Sequence, residues 1–314
     1  MLFFNIFLML ILMLFLIAIL NLCIFQKYLH VKYDPQIKPL PIHVNNGKRP
    51  VSCTVPCYWP YRFDSILKNI KIDEIPGLTM LMSMEGEGYY PQLSLKNRNF
   101  MHGIASTRFD SDVPVPYFSF SEYSIQTLPP ESQIPASLFL ANNCNSLSNR
   151  EKLVKELSQK TKLISPSSCM KNVNIPFEER RNKQKFMSLY TFYLAFENQR
   201  INDYITEKLW GAFCAGTIPV YFGAPNIMDH VPYNSIINVD SFNSIDDLAQ
   251  HMNNILKNST LKNSYHSWKY KNLPRHFLNK YNISRTHSEC RTCLWANEKR
   301  KAIKLANDLN GLKM

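Results

Sequence analysis

The fold is indicated most clearly by residues Phe192–Pro225, which read FYLAFENQRINDYITEKLWGAFCAGTIPVYFGAP. Its apolar and β-branched residues predict strands over Tyr193–Phe196 and Ile218–Phe222. A polar loop, Glu197–Asp203, follows the first strand, and the pattern after it predicts a helix over Tyr204–Ala215. A strand, a helix and a second strand in so short a stretch form a βαβ unit, which indicates a parallel sheet.

Several polar and charged side chains follow the first of these strands: Glu197, Asn198, Tyr204, Glu207 and Lys208. Ligands of parallel α/β sheets bind at the carboxyl ends of the strands, and anions favour helix N-termini, where N–H groups lack partners. A lysine suits a diphosphate, whereas a glutamate can accept hydrogen bonds from ribose hydroxyls. The pattern therefore predicts a nucleotide that carries a sugar. The alternative is an exposed helix start with ordinary surface charges.

Three segments of this stretch, Phe192–Asn198, Asp203–Lys208 and Gly216–Pro225, resemble the signature of the α-1,3-fucosyltransferases. Further segments resemble the branch of that family that fucosylates the core of N-glycans, namely Ser52–Cys57, Met82–Leu93, Ser111–Tyr123, Asn142–Leu157 and Cys290–Cys293. The resemblance covers most of the chain after its first 50 residues.

This resemblance implies an α/β fold of two Rossmann-like domains that face each other across a cleft, a GT-B-like architecture. A chain of 314 residues with 45% hydrophobic residues is large enough for two cores. We therefore expect an acceptor-side domain over residues 51–135 and a GDP-fucose-binding domain over residues 136–289. A C-terminal segment with a C-x-x-C pair and a helix occupies residues 290–314.

Residues 1–26 carry no charged side chain and are long enough to span a bilayer as a helix. They lack the basic start and the small-residue cleavage site of a signal peptide, so we expect an uncleaved signal-anchor, followed by a short stem over residues 27–50. Lys27 and Lys32 follow the span, and the positive-inside rule alone would leave the rest of the chain in the cytosol. The family resemblance implies instead a single-pass type II protein of the Golgi membrane with a luminal catalytic domain.

Four of the eight cysteines lie in two close pairs, Cys53 with Cys57 and Cys290 with Cys293. Together with two N-x-[ST] sequons they suit a secretory compartment. The first pair has C-x₃-C spacing, unlike the usual zinc ribbon, so disulfide bonds are favoured over a zinc site. For the cysteines Cys144, Cys169 and Cys214 the sequence predicts buried apolar positions or partners that it does not identify.

Arg150 follows a turn rich in Asn and Ser and matches the diphosphate-binding arginine of the family. Ser148 or Asn149 can cap the helix that begins here, and a guanidinium in its first turn can bind an anion with two hydrogen bonds. The alternative is a solvated side chain beside charged neighbours. One position departs from the family pattern, because Thr191 stands where a lysine is usual.

The resemblance implies that L-fucose is transferred from GDP-β-L-fucose to a sugar hydroxyl with inversion. Such a displacement needs a general base for the acceptor hydroxyl. Glu85, in the segment MSMEGEGYYP, matches the catalytic carboxylate of the family, and Glu87 is the alternative. Arg150 and Lys208 would stabilise the charge that develops on the departing phosphate.

With these cations in place no cofactor is required beyond the donor substrate, and no metal site is expected. Asp110-Ser111-Asp112 nevertheless spells D-x-D, a pattern that holds a divalent ion against the nucleotide in many glycosyltransferases. In this chain it aligns with the acceptor-side segment of the family. A metal bound by Asp110 and Asp112 remains the alternative.

The net charge of +12 is not accompanied by a helix-turn-helix, zinc-finger or RNA-binding motif, so a nucleic-acid partner is not expected. The predicted partners are GDP-fucose, an N-glycan acceptor on glycoproteins and the bilayer. The predicted product is an α-1,3 linkage to the innermost GlcNAc of N-glycans. Two alternatives stay open: a Lewis-type antennal α-1,3-fucosyltransferase, and an inactive membrane-anchored sugar-binding protein on the same scaffold.

Overall fold

The computed structural model of the protein describes residues 49–50, 53–55, 58–59, 78, 80–90 and 102–311. The predicted membrane anchor, residues 1–26, and nearly all of the predicted stem lie outside these residues. Within the described ranges, no helix combines the length and the apolar character needed to cross a membrane.

The chain forms two compact units, which divide between Arg62 and Phe63. In the first unit, two short antiparallel strands pair, β1 (Arg49–Pro50) and β2 (Tyr58–Trp59). The second unit contains every other element described below.

A small parallel sheet of three strands opens the second unit. It consists of β3 (Met80–Met82), β4 (Gly103–Ser106) and β5 (Val113–Pro114), in that order. Its buried residues Ala105, Val113 and Val115 form a separate small apolar cluster.

A larger sheet has five strands, all parallel, in the order β10-β9-β8-β6-β7. The strands are β6 (Ile134–Leu138), β7 (Leu163–Ile164), β8 (Tyr190–Phe196), β9 (Ile218–Phe222) and β10 (Ile237–Asn238). The helices are α1 (Arg150–Ser158), α2 (Phe177–Arg180), α3 (Lys183–Ser188), α4 (Glu207–Ala215), α5 (Ile245–Lys257), α6 (Ser259–Ser264), α7 (Arg275–Tyr281) and α8 (Ser288–Gly311). The predicted βαβ unit is therefore β8-α4-β9.

The central strand β8 is buried on both faces, as parallel strands covered by helices usually are. Phe192, Leu194 and Phe196 point into one apolar cluster, whereas Tyr193 and Ala195 point into the other. The alternation of side chains along a strand thus joins two cores through one element. This burial fixes the carboxyl end of β8, from which the functional loop emerges.

The C-terminal helix α8 packs against the small sheet through its first half. Trp295 lies so close to Gly103 that a Cβ atom there would be 2.3 Å from its ring, and Arg291 donates a hydrogen bond to the carbonyl of Pro114 at 2.7 Å. The sequence predicts a helix within residues 290–314, and α8 occupies this segment up to Gly311 but begins before it, at Ser288.

The cysteines differ in part from what the sequence suggests. Cys144 and Cys169 form a disulfide bond with Cα atoms 5.2 Å apart. Of the two alternatives that the sequence left open for them, a partner that it did not identify is therefore the correct one. Cys290 and Cys293 are both disulfide-bonded, and so is Cys53. Cys214 is free and buried.

The α/β class with parallel sheets is confirmed. Both parallel sheets belong to one compact unit, and the arrangement as two facing Rossmann-like domains with a boundary near residue 135 stays a prediction.

Candidate active site

The site begins where β8 ends, at the loop of residues 197–206 that leads into α4. Thr206 has extended backbone angles and accepts a hydrogen bond from the backbone N–H of Lys208, so it is the N-cap of the helix. This cap explains why the helix begins at Glu207 and not at Tyr204 as predicted. The first N–H groups of α4 lie at the carboxyl edge of the sheet, the position expected for a ligand.

The carboxylate of Glu197 is completely buried beneath this helix start. Its Oε1 accepts the backbone N–H of Thr206 at 2.7 Å, and its Oε2 accepts the hydroxyl of Thr206 at 2.8 Å. The same Oε2 lies 3.2 Å from Nζ of Lys208. Burial raises the pKa of Glu197, while Lys208 and the hydrogen bonds from Thr206 act in the opposite direction. Glu197 therefore acts on Thr206 and Lys208 in this structure, and binding of the donor by it stays a prediction.

Lys208 is held as a recessed cation. Its Nζ donates to the hydroxyl of Thr206 at 2.8 Å, and its side chain keeps 16% of its surface exposed. Burial alone would lower the pKa of Lys208, but the carboxylates of Glu197 and Glu207 raise it by more. A fixed positive charge at a helix N-terminus is suited to an anionic group.

Glu207 lies beside this cation at the first position of α4. Its Oε1 is 3.5 Å from Nζ of Lys208 and 3.7 Å from Nζ of Lys183. Burial raises the pKa of Glu207, but Lys208, Lys183 and a hydrogen bond with Thr206 together lower it below its ordinary value, so the group is ionised. An ionised carboxylate that is partly exposed can accept hydrogen bonds from hydroxyls of a ligand.

Tyr204 connects the loop to the predicted base. Its hydroxyl donates a hydrogen bond to Oε2 of Glu85 at 2.9 Å, although the two residues are 119 positions apart. Burial raises the pKa of Tyr204, and nearby Glu197 and Glu85 raise it further, so the hydroxyl stays a donor. Glu87, the alternative base, lies 3.7 Å from Nη1 of Arg108 in an ion pair. Of the two carboxylates, only Glu85 is joined to the 197–206 loop by a hydrogen bond.

Arg150 is brought to the same edge, but its guanidinium points inward. It is 3% exposed, and it donates to the carbonyls of Phe196 at 2.7 Å and Asn143 at 3.2 Å. Its Nε, buried as well, has no hydrogen-bond partner within the described part of the chain. Asn149, before it, has φ of 53°, a left-handed conformation that asparagine tolerates. Arg150 thus ties the β6-α1 loop to the end of β8, and diphosphate binding by it stays a prediction.

Asn198 is anchored through its backbone, since its carbonyl accepts the N–H of Ser148 at 3.0 Å. Its side-chain Oδ1 is buried and, in the described ranges, accepts no hydrogen bond. A buried amide oxygen without a donor is a candidate to receive one from a ligand.

Two residues of the loop were not singled out by the sequence reasoning. They are Thr206, described above, and Asp203. The carboxylate of Asp203 accepts hydrogen bonds from the N–H of Phe109, from Asn226 and from His230, at 2.8 to 3.0 Å. Burial opposes ionisation of Asp203, but these partners lower its pKa well below the usual range. Both residues belong to the segment DYITEK, so the motif itself carried the signal.

The D-x-D residues have other partners in the structure. Asp110 forms hydrogen bonds with Arg108 at 2.8 and 2.7 Å, and Oδ2 of Asp112 accepts the N–H of Ile104 at 2.9 Å. Among the described residues, no group of three or more His, Cys, Asp or Glu side chains is arranged to hold a metal ion. Independence from a metal stays a prediction.

A cation and an ionised carboxylate lie at the start of the helix after the central parallel strand, and Tyr204 joins a second carboxylate, Glu85, to the same loop. Nucleotides bind at this edge of parallel α/β sheets, so the fold and the site are typical of a nucleotide-binding α/β protein. Residues 130–312 match the model of glycosyltransferase family 10 (fucosyltransferase), C-terminal part. The chain belongs to this family. Glu85 precedes the matched segment.

Curated relatives share moderate identity with the chain. A putative fucosyltransferase-like protein of Arabidopsis thaliana is 29% identical over 276 residues, which cover 84% of this chain and 52% of that protein. Alpha-(1,3)-fucosyltransferase B of Drosophila melanogaster is 37% identical over 142 residues, covering 42% and 32%. GDP-fucose protein O-fucosyltransferase 3 of Gallus gallus is 37% identical over 142 residues, covering 43% and 30%. The chain thus spans about half or less of the length of these relatives.

Among solved structures, a crystal structure of α1,3-fucosyltransferase with GDP-fucose is similar, with a TM-score of 0.39 and 23% sequence identity. The similarity covers 53% of this chain and 50% of that one.

Proposed function

We propose that this protein transfers L-fucose from GDP-β-L-fucose to a GlcNAc hydroxyl in α-1,3 linkage, with inversion at the anomeric carbon. The observation that carries this proposal is the hydrogen bond from Tyr204 to Glu85 at 2.9 Å. It joins a carboxylate of the small-sheet side to the loop that carries the nucleotide-binding candidates. A pure binding protein has no need of a base beside its ligand site.

The charged groups at the start of α4 suggest how GDP-fucose would bind. The recessed ammonium of Lys208 would bind the diphosphate, and the ionised carboxylate of Glu207 would accept hydrogen bonds from the ribose. The free Oδ1 of Asn198 suits a hydroxyl of fucose. Glu197 would act mainly by holding Lys208 in place.

The chemical step would be a single displacement. Glu85 removes the proton of the acceptor hydroxyl, whose oxygen attacks the anomeric carbon of fucose from the face opposite GDP. The bond between that carbon and the phosphate oxygen breaks, and the electron pair leaves with GDP. Lys208 stabilises the negative charge that develops on the phosphate, and Tyr204 orients the Glu85 carboxylate.

The acceptor is proposed from the segments that resemble the core branch. These favour the innermost GlcNAc of N-glycans, and a Lewis-type antenna is the second candidate. The name of the Gallus gallus relative adds a protein hydroxyl as a third. The Cys144–Cys169 disulfide supports a secretory compartment, and we propose a luminal Golgi location with residues 1–26 as anchor.

The proposal is tested with the full chain in detergent, GDP-fucose and three acceptors: an N-glycan with an intact chitobiose core, an N-acetyllactosamine antenna, and an unglycosylated polypeptide. We expect transfer to the first, unchanged by EDTA. Transfer only to the second or third would replace the acceptor but keep the reaction. GDP-fucose binding without transfer to any acceptor would support the inactive sugar-binding protein. Loss of transfer with EDTA would restore a metal role for Asp110 and Asp112.

A further inference from the structure

The side-chain amide of Gln199 lies between the 197–206 loop and the loop that carries Glu85, residues 83–90. Gln199 is 2% exposed, and its Oε1 accepts the backbone N–H of Gly88 at 3.1 Å across 111 positions of sequence. This bond and the bond from Tyr204 to Glu85 start from the same loop. The 197–206 loop therefore holds the Glu85 loop by two hydrogen bonds, one to its backbone and one to its carboxylate.

Two glycines provide the space in which this amide fits. A Cβ atom on Gly86 would lie 2.3 Å from Nε2 of Gln199 and 2.4 Å from Cδ1 of Ile201. A Cβ atom on Gly88 would lie 2.7 Å from Oε1 of Gln199 and 2.9 Å from Cδ1 of Leu147. Because heavy atoms do not approach so closely, a larger residue at either position would have to displace the side chain of Gln199 from its present place.

The amide is a costly choice if it serves packing alone. Nε2 of Gln199 is buried and, in the part of the chain that the structure describes, donates to no acceptor. A buried donor without a partner opposes folding, and an apolar side chain of similar length would avoid that cost. A methionine at position 199 would avoid that cost, but it would not accept the hydrogen bond from the N–H of Gly88.

We propose that Gln199 is a positioning residue for the transfer reaction: through the N–H of Gly88 it keeps the Glu85 carboxylate in register with the donor side of the site. The inference rests on the proposed function, because it assigns a role relative to Glu85 as base. Gln199 need not touch either substrate to act in this way. Its loss should therefore lower the rate of transfer while leaving donor affinity alone.

The direct test compares Gln199→Met with wild type in kcat, KM for GDP-fucose, affinity for GDP and thermal midpoint. We expect kcat to fall by on the order of tenfold to a hundredfold, the usual effect of a misplaced catalytic group, with GDP affinity unchanged. Gln199→Glu, which keeps an oxygen for Gly88, should retain more activity than Gln199→Met. Gln133→Met is the control, since among the described residues Gln133 donates only to the carbonyls of Ser188, Tyr190 and Gly216.

A double-mutant cycle tests the fit between the loops without depending on one variant. Gly88→Ala should reduce kcat strongly in wild type and clearly less in a Gln199→Ala background, where the amide no longer occupies the space and the end of the Leu147 side chain is the remaining close contact. Equal effects of Gly88→Ala in both backgrounds, or a Gln199→Met enzyme with kcat near wild type, would overturn the inference. Absence of transfer by the wild-type chain to every acceptor would instead overturn the proposed function and the inference with it.

Discussion

The ammonium group of Lys208 lies 3.2 Å from Oε2 of Glu197, a carboxylate with no exposed surface. The two side chains differ in solvent exposure: part of the Lys208 side chain is exposed, whereas Glu197 is completely buried. The geometry thus divides the pair into a group that can meet a ligand and a group that holds it. Several measurements can separate these roles.

Replacing Lys208 should affect stability and ligand binding together. In Lys208→Met the buried carboxylate of Glu197 loses its cation, and breaking a buried pair from one side costs about 3–5 kcal/mol of unfolding free energy. Binding of GDP should weaken as well. The double variant Glu197→Gln/Lys208→Met should recover much of the stability but none of the affinity, as measured by denaturant unfolding and calorimetry. Recovery of both would show that Lys208 does not contact the nucleotide.

Thr206 is expected to matter for its hydroxyl alone. Thr206→Ala removes an N-cap and a hydrogen bond to Glu197, for which we expect a loss of about 1–2 kcal/mol in unfolding free energy. Thr206→Ser keeps the hydroxyl and is the matched control. Denaturant unfolding of the two variants should separate them clearly. Equal stability of both would mean that the cap does not contribute.

The Cys144–Cys169 disulfide closes a loop across 25 positions of sequence. Its removal in Cys144→Ala/Cys169→Ala should lower the unfolding free energy by about 3 kcal/mol, since the unfolded chain regains conformational freedom. The loop it closes includes Arg150, so affinity for GDP should also fall. Denaturant unfolding checks the first effect and calorimetry the second. Unchanged values for both would assign the bond no role at this site.

Lys269 gives the protein a dependence on pH that is unrelated to the site. The side chain is 6% exposed and donates to the carbonyls of Ile125 at 2.9 Å and Phe213 at 2.8 Å. Burial lowers the pKa of Lys269 from 10.5 to about 7. Between these values the unfolded chain binds more protons than the folded one, so the unfolding free energy should rise with pH from about 7 upward.

That rise should be absent or much smaller in Lys269→Met than in wild type. Lys271→Met, which removes an exposed lysine nearby, should keep the wild-type slope. The measurement is the unfolding free energy at several pH values between neutral and alkaline. Identical slopes in all three proteins would show that Lys269 stays charged in the folded state.

Features that depend on residues close together in the sequence could be predicted, whereas features that depend on distant residues could not. The βαβ unit around α4 was predicted in type and order, because apolar periodicity and β-branched residues act within single elements. The strand Ile218–Phe222 was predicted to its ends, whereas β8 begins at Tyr190, three positions before the predicted start. The start of α4 was missed by three positions, since the cap by Thr206 depends on the buried partner Glu197. The residues in DYITEK were recognised as a motif, but the role of Asp203 depends on Phe109 and His230, which are distant in sequence.

Arg150 shows a different limit. The start of its helix was predicted correctly, but the predicted cap is absent: the side chain of Asn149 makes no capping hydrogen bond, and the hydroxyl of Ser148 donates to the carbonyl of Glu197 at 2.7 Å. The direction of the Arg150 guanidinium depends on the carbonyl of Phe196, at the end of β8. The Cys144–Cys169 bond could not be predicted for the same reason, because cysteines 25 positions apart have no local signature of pairing. The direction of the Arg150 side chain and the pairing of the two cysteines both depend on tertiary contacts.

In the proposed mechanism Glu85 and the 197–206 loop form one catalytic site. Fucosyl transfer and GDP affinity, measured on the same preparations of wild type, Glu85→Gln and Glu87→Gln, test this arrangement. Gln at position 85 can still accept the hydrogen bond from Tyr204 but cannot take a proton, so we expect transfer to fall by about 10²–10⁴-fold with GDP affinity unchanged. Glu87→Gln should stay near wild type. Transfer by Glu85→Gln at the wild-type rate would show that Glu85 is not the general base.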